Sequence, residues 1–190
     1  MPNRRQFLQA GGLALAGLAL PTSLFDLDRA NAGGQPGRSS GTVTIRMRSD
    51  DRGARVWFDP VGVRVPPGAT IRWLLDANVH SATAYHPANG YAPRIPPDAP
   101  PWDSGLMTVP GQAFAVQLDV PGMYDYFCAP HELAGMAGRI VVAARGTRAS
   151  EVVVPGPPPE GLRAASAASL AVLPDIARIL REGAVTIANA

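Results

Sequence analysis

The feature that most restricts how this chain can fold is a series of short alternating stretches between residues 42 and 143. Thr42-Val43-Thr44-Ile45-Arg46-Met47, Thr70-Ile71-Arg72-Trp73-Leu74-Leu75 and Phe114-Ala115-Val116-Gln117-Leu118 place apolar side chains at every second position. That is the period of a half-buried strand, not of a helix. Val56-Trp57-Phe58, Val61 to Val65, Val79 to Tyr85, Met123 to Phe127 and Arg139 to Val142 continue the series. Turn chemistry at Pro66-Pro67-Gly68 and Pro121-Gly122 separates some of them. Seven or eight short strands at this spacing predict an all-β, Greek-key antiparallel β-sandwich or barrel. Residues 86–105 hold six prolines and little periodicity, which predicts a long ordered loop.

The two ends have a different character. Asn3-Arg4-Arg5-Gln6-Phe7-Leu8 resembles the twin-arginine export motif. An apolar run from Ala10 to Leu20 follows, too short for the roughly 20 residues that span a bilayer. Ala30-Asn31-Ala32 fits a cleavage site. Residues 1–32 are therefore expected to be a removable signal peptide and 33–41 a flexible lead-in to a domain at 42–145. The mature protein is expected to be periplasmic or extracellular, without a membrane span. After residue 146, Pro155-Gly156-Pro157-Pro158-Pro159 predicts a stiff linker. Leu162 to Val172 is Ala-rich and helical by propensity. Pro174 suits the start of a second short helix ending at Gly183, with Ile176, Ile179 and Leu180 on one face. Residues 146–190 are thus read as a linker and a short C-terminal helical extension packed on the barrel.

There is a single cysteine, Cys128. Exported proteins use cysteines mostly in pairs, and a lone thiol in an oxidising compartment must be buried or ligated. Cys128-Ala129-Pro130-His131-Glu132-Leu133-Ala134-Gly135-Met136 gives the spacing C-x2-H-x4-M between two strands. A loop of that length can turn a thiolate, an imidazole and a thioether towards one point. Soft sulfur donors favour Cu(I), imidazole also suits Cu(II), and two His, one Cys and a weak axial Met form a type 1 (blue) copper site. The second imidazole must come from elsewhere. His80 is preferred, because His86, six residues on, precedes Pro87 where the strand should fail. Glu132 reads as a solvated charge beside the site, and Tyr124, Tyr126, Met107 and Met123 as packing residues.

The stretch Pro121-Gly122-Met123-Tyr124-Asp125-Tyr126-Phe127-Cys128, continued to Gly135-Met136-Ala137-Gly138-Arg139-Ile140-Val141-Val142, resembles the cupredoxins, in particular the plastocyanin, pseudoazurin and halocyanin-like group. Gly68-Ala69-Thr70-Ile71-Arg72-Trp73 before His80, Trp102-Asp103-Ser104-Gly105 and Pro110-Gly111-Gln112 match the same family's pattern. The resemblance covers roughly residues 42–143. It implies a cupredoxin fold, one copper ion held by His80, Cys128, His131 and Met136, and single-electron transfer between redox partner proteins. Two departures stand out: Ser81 replaces the Asn common after the first His ligand, and residues 86–101 are longer and richer in proline.

Other functions fit less well. There is no Lys; all 17 positive charges are Arg, and they are scattered, so no basic stripe marks a nucleic-acid surface. Three His are too few for a trinuclear copper cluster beside a type 1 site, and the neighbours of Cys128 are Phe127 and Ala129 rather than His. An electron carrier without a substrate is thus expected rather than an enzyme. The alternative is a periplasmic copper-binding or delivery protein, whose usual Met-rich or paired-Cys motifs are lacking here.

Overall fold

The structure is a computed structural model that describes residues 41–157 and 159–187. The expected signal peptide and almost all of the lead-in lie outside the described residues. Among those described, no helix is long and apolar enough to cross a membrane.

Among the described residues, nine strands form two sheets. The first contains β1 (Thr42–Ser49), β2 (Val56–Asp59), β4 (Ala69–Leu75) and β6 (Ala113–Leu118), in the order β2-β1-β4-β6. The second contains β3 (Gly62–Val65), β5 (Thr83–Ala84), β7 (Gly122–Phe127), β8 (Ala137–Val142) and β9 (Ala184–Val185), in the order β5-β7-β8-β3-β9. The all-β class follows the sequence pattern. Both sheets are nevertheless mixed, because β1 pairs with β4 and β3 with β8 in parallel. Alternation specifies which side chains face inward and carries no information on strand direction.

In β4, Ala69, Ile71, Trp73 and Leu75 are buried and the residues between them are not. They pack against Ile45 and Met47 of β1, Phe58 of β2 and Tyr124 and Tyr126 of β7 in the main core. The Tyr126 ring meets Phe58 and Trp73 edge-on, at 4.7 and 5.2 Å between centroids, a favoured aromatic geometry. Gly138 lies against the Tyr126 hydroxyl, and a Cβ there would collide with it. The stretch expected as a strand from Val79 to Tyr85 is mostly irregular. Only Thr83–Ala84 joins a sheet, while His80 makes an isolated bridge to Met107.

All six residues of β7 are buried. A strand with one solvated face would not show this, so its outer face must be covered. The cover comes from the Pro-rich loop and from the C-terminal segment. Asp125 points to that side, fully buried, and receives Arg94 Nη2 at 2.7 Å and Arg139 Nε at 2.7 Å. Arg139 also donates to the Pro174 carbonyl at 2.9 Å. Asp125→Ala leaves two guanidinium groups without their shared carboxylate. It is expected to cost about 3–5 kcal/mol, measured as a lower denaturant midpoint.

The C-terminal extension contains α1 (Ala167–Val172) and α2 (Ile176–Glu182). The first helix is shorter than its composition predicts because Ser166 caps it, its Oγ accepting from Ser169 N. The second ends at Gly183 as expected, with Ile179 fully buried among Val61, Met123, Val141 and Val185 and with Ile176 and Leu180 packed alongside. The chain then adds β9 to the edge of β3, a strand that two ordinary residues, Ala184 and Val185, do not announce.

Candidate metal centre

The hairpin of β7 and β8 carries the loop with the candidate donors Cys128, His131 and Met136. Phe127 and Ala137 are paired, and Cys128 N donates to the Met136 carbonyl at 2.9 Å. The residues between are drawn into two short 3-10 turns. His131 N donates to the Cys128 carbonyl and Gly135 N to that of Glu132. Gly135 takes φ 82° to bring the chain back, a conformation that favours glycine. Tyr124, Tyr126 and Cys128 share one parity along the strand, which turns the thiol inward into the main core.

His80 comes from the other side. Its bridge to Met107 uses both backbone groups, His80 N to Met107 O at 3.1 Å and Met107 N to His80 O at 2.8 Å. The loop before Met107 is pinned by Thr83 donating to Asp103 and by Ala82 N donating to Ser104 Oγ.

Three donor atoms converge. His80 Nδ1 and His131 Nδ1 lie 3.2 Å apart, Cys128 Sγ is 3.5 Å from the first and 3.4 Å from the second. A point equidistant from all three lies about 1.9 Å from each, near the ~2.0–2.1 Å of a metal–imidazole bond and short of the ~2.3 Å of a metal–thiolate bond. Among the described residues this is the group able to hold a metal ion. Cys128 and His80 are fully buried, whereas His131 is partly exposed. Met136 is fully buried in the same core as Cys128. His86 sits elsewhere in role: its Nδ1 accepts from Ala88 N and caps a 3-10 turn at Pro87–Asn89.

Burial, and after it the facing His131 ring, pull the His80 imidazole down to about 4. Burial also holds His131 below its ordinary value. Both rings are therefore neutral at pH 7 and offer lone pairs. Burial pushes the Cys128 thiol up to about 11, opposed first by the Ser81 backbone N–H. The thiol keeps its proton until a cation replaces it, so metal uptake releases a proton and weakens in acid.

Two residues beyond the expected ligands shape the group. Ser49, at the end of β1, places Oγ 3.0 Å from His80 Nε2. With Nε2–H donating to that oxygen, Nδ1 presents its lone pair to the centre. No motif marks Ser49, because it is 31 residues from His80 and meets it only through the pairing of β1 with β4. Ser81 keeps its backbone N–H on Cys128 Sγ at 3.3 Å. Its hydroxyl accepts from Ala129 N at 2.8 Å and touches Thr83 Oγ1 at 3.1 Å. The serine thus ties the segments that carry His80 and Cys128 together by side chain as well as by backbone.

A model of copper binding proteins of the plastocyanin/azurin family matches residues 44–143. The chain belongs to this family. It is a cupredoxin, and its cofactor is copper. A plastocyanin of Tetradesmus obliquus is 30% identical over 134 residues, covering 70% of this chain and 79% of that one. A pseudoazurin of Methylorubrum extorquens is 31% identical over 100 residues, covering 53% and 61%. A solved pseudoazurin from Methylobacterium extorquens AM1 is 30% identical, covers 56% of this chain and 77% of its own, and superposes with a TM-score of 0.42. The donor set suits the cupredoxin metal: one soft thiolate and two imidazoles lie around a single point in a site closed to solvent on the His80 side. Glu132 corrects the sequence reading. It is 1% exposed and its carboxylate is met by Tyr85 OH, Ser166 N and Arg163, so it is not a solvated charge.

Proposed function

We propose that this cupredoxin is an exported carrier of single electrons, with copper held by His80, Cys128, His131 and Met136. The observation that carries the reading is the convergence of three donor atoms at 3.2–3.5 Å from one another in a buried group. Copper bound there would supply a one-electron Cu(I)/Cu(II) couple. The protein's part is to hold its donors still. Neutral His rings need no proton removed before they coordinate. Ser49 and Ser81 keep a ring and the sulfur oriented, and the core around Cys128 excludes water. A site fixed in this way rearranges little between oxidation states, which suits a carrier rather than a delivery protein. The absence of His beside Cys128 supports a carrier over an enzyme with a second copper centre. The Arg4-Arg5 motif, outside the described residues, supports export by the twin-arginine route.

The test is voltammetry after copper addition. Reversible cycling with retention of the metal is expected, and loss of copper in one oxidation state would favour delivery instead. Met136→Gln adds a check on the axial position. A thioether stabilises Cu(I) better than an amide oxygen, so the variant is expected to keep copper and show a lower reduction potential. An unchanged potential would remove Met136 from the ligand set.

The route of the electron is proposed through His131, the partly exposed member of the group. Ala129, Pro130, Leu133 and Ala134 around it in sequence are exposed, Leu133 at 73%. Such an apolar rim lets a redox partner approach closely and part quickly. Leu133→Asp is expected to slow electron exchange with a partner at least several-fold while sparing the visible spectrum. Exchange at the wild-type rate would move the contact to the loop from His86 to Trp102.

A further inference from the structure

Glu132 follows the ligand His131 directly, yet its carboxylate faces away from the donor group and into the C-terminal segment. Oε1 accepts from Ser166 N at 2.6 Å and from Tyr85 OH at 3.1 Å, and Oε2 meets Arg163 Nη2 at 3.4 Å. The Glu132 carbonyl is held as well, by Ser169 Oγ at 2.7 Å and Ser166 Oγ at 3.1 Å. Three residues of the C-terminal segment therefore make four hydrogen bonds to a single residue of the ligand loop. Arg163 is itself fixed: its guanidinium lies 4.7 Å from the centre of the Tyr91 ring, and its carbonyl accepts from Ala92 N at 2.8 Å. Below it Tyr85, Tyr91, Phe127 and Ala137 form a small core, closed by Ala165, Val172 and Leu173. Gly135, between His131 and Met136 in the loop, lies so near α1 that a Cβ would stand 3.2 Å from the Ala168 carbonyl.

The loop's own backbone bonds, such as His131 N to the Cys128 carbonyl and Gly135 N to that of Glu132, are those of short 3-10 turns, whose hydrogen-bond geometry is poorer than that of an α-helix. A buried carboxylate has to be matched by donors, and here all but one of the donors to the Glu132 carboxylate come from residues 163–169. We infer that residues 163–169 are a clamp on the ligand loop, anchored on Glu132 as a positioning residue, and that this clamp sets the placement of His131 and Met136. The inference rests on the copper reading above for its effect on the metal, but the clamp itself is a property of the metal-free chain. It assigns to the C-terminal extension a role in the site, although that extension lies wholly outside the segment matched by the family model.

The test uses the full chain with Ser166→Ala/Ser169→Ala, which removes both hydroxyl donors to the Glu132 carbonyl and touches no ligand. In the metal-free protein, hydrogen exchange at the amides of residues 131–136 is expected to speed up at least tenfold, with the amides of β4 and β8 unchanged. With copper bound, the reduction potential and the visible spectrum are expected to shift, and Ser169→Thr, which keeps a hydroxyl, is expected to stay near wild type. Glu132→Gln serves as the second variant should the double one fail to fold, since it conserves volume while losing the charge opposite Arg163. Wild-type exchange at 131–136 in a folded variant overturns the clamp, as does faster exchange with an unshifted potential and spectrum. If the wild-type protein takes up no copper, the functional proposal fails, while the metal-free exchange measurement still decides the clamp.

Discussion

Replacing Cys128 with serine is expected to abolish the visible colour of the copper-loaded protein completely while leaving the fold in place. The colour of a type 1 site arises from charge transfer between a thiolate and copper, so it requires the sulfur. In this chain Cys128 is the only sulfur of its kind, and its Sγ stands 3.4 and 3.5 Å from the two imidazole nitrogens. Burial pushes the thiol up to about 11, a range from which a bound cation can still displace the proton. A serine hydroxyl ionises far less readily and presents a hard oxygen where copper favours soft sulfur. The exchange conserves shape closely, and the Ser81 N–H that now meets sulfur would find oxygen instead. Visible absorption on copper titration, read beside the thermal midpoint of the metal-free protein, checks both halves. A coloured serine variant would remove Cys128 from the site.

The second large effect concerns the C-terminal extension. Because residues 146–190 lie outside the cupredoxin resemblance, the sequence predicts that a chain cut after Ala144 keeps its copper spectrum. The structure leads to the opposite expectation. The cut removes Ile179 and Val185, both essentially fully buried, each contributing about 1.5–3 kcal/mol. It uncovers Val61, Met123 and Val141 on the outer face of the second sheet and takes β9 from the edge of β3. Arg139 loses the Pro174 carbonyl, and Glu132 loses four of its hydrogen bonds, one of them from the Arg163 guanidinium. The total is on the order of 5 kcal/mol or more, comparable with the whole net stability of roughly 5–15 kcal/mol for a domain of this size. The shortened chain is expected to be largely unfolded at room temperature, with a weak copper spectrum or none. Circular dichroism through a denaturant series decides the matter. A midpoint within a few tenths molar of the full chain would show the extension to be dispensable.

Much of the protein is legible in its amino-acid sequence alone. The period-two pattern of Thr42 to Met47, Thr70 to Leu75 and Phe114 to Leu118 determines the strand class and the inward faces, because side chains alternate across a sheet whatever lies beside it. The spacing of Cys128, His131 and Met136 determines a compact donor loop, because all three lie on one short connection whose reach is set by covalent geometry. The face of Ile176, Ile179 and Leu180 is legible for the same local reason. A local argument also favours His80 over His86, since Pro87 ends the extended backbone there.

What lies beyond the sequence depends on partners far along the chain. Strand direction in the pairs β1–β4 and β3–β8 is a property of connections, to which alternation is blind. Ser49 meets His80 across 31 positions, and Asp125 is held by Arg94 and Arg139 from a different loop and strand. Glu132 is the sharpest instance. A glutamate in a short exposed-looking loop reads as solvated, since carboxylates are almost never buried unless matched. Its match comes from Tyr85, Arg163 and Ser166, which only the folded chain brings to it. Local periodicity and spacing thus determined which segments form strands and which donors share a loop. The burial of charge, and with it the attachment of the C-terminal extension to the metal centre, was decided by tertiary structure, because the desolvation of a carboxylate can be offset only by donors that approach it through space.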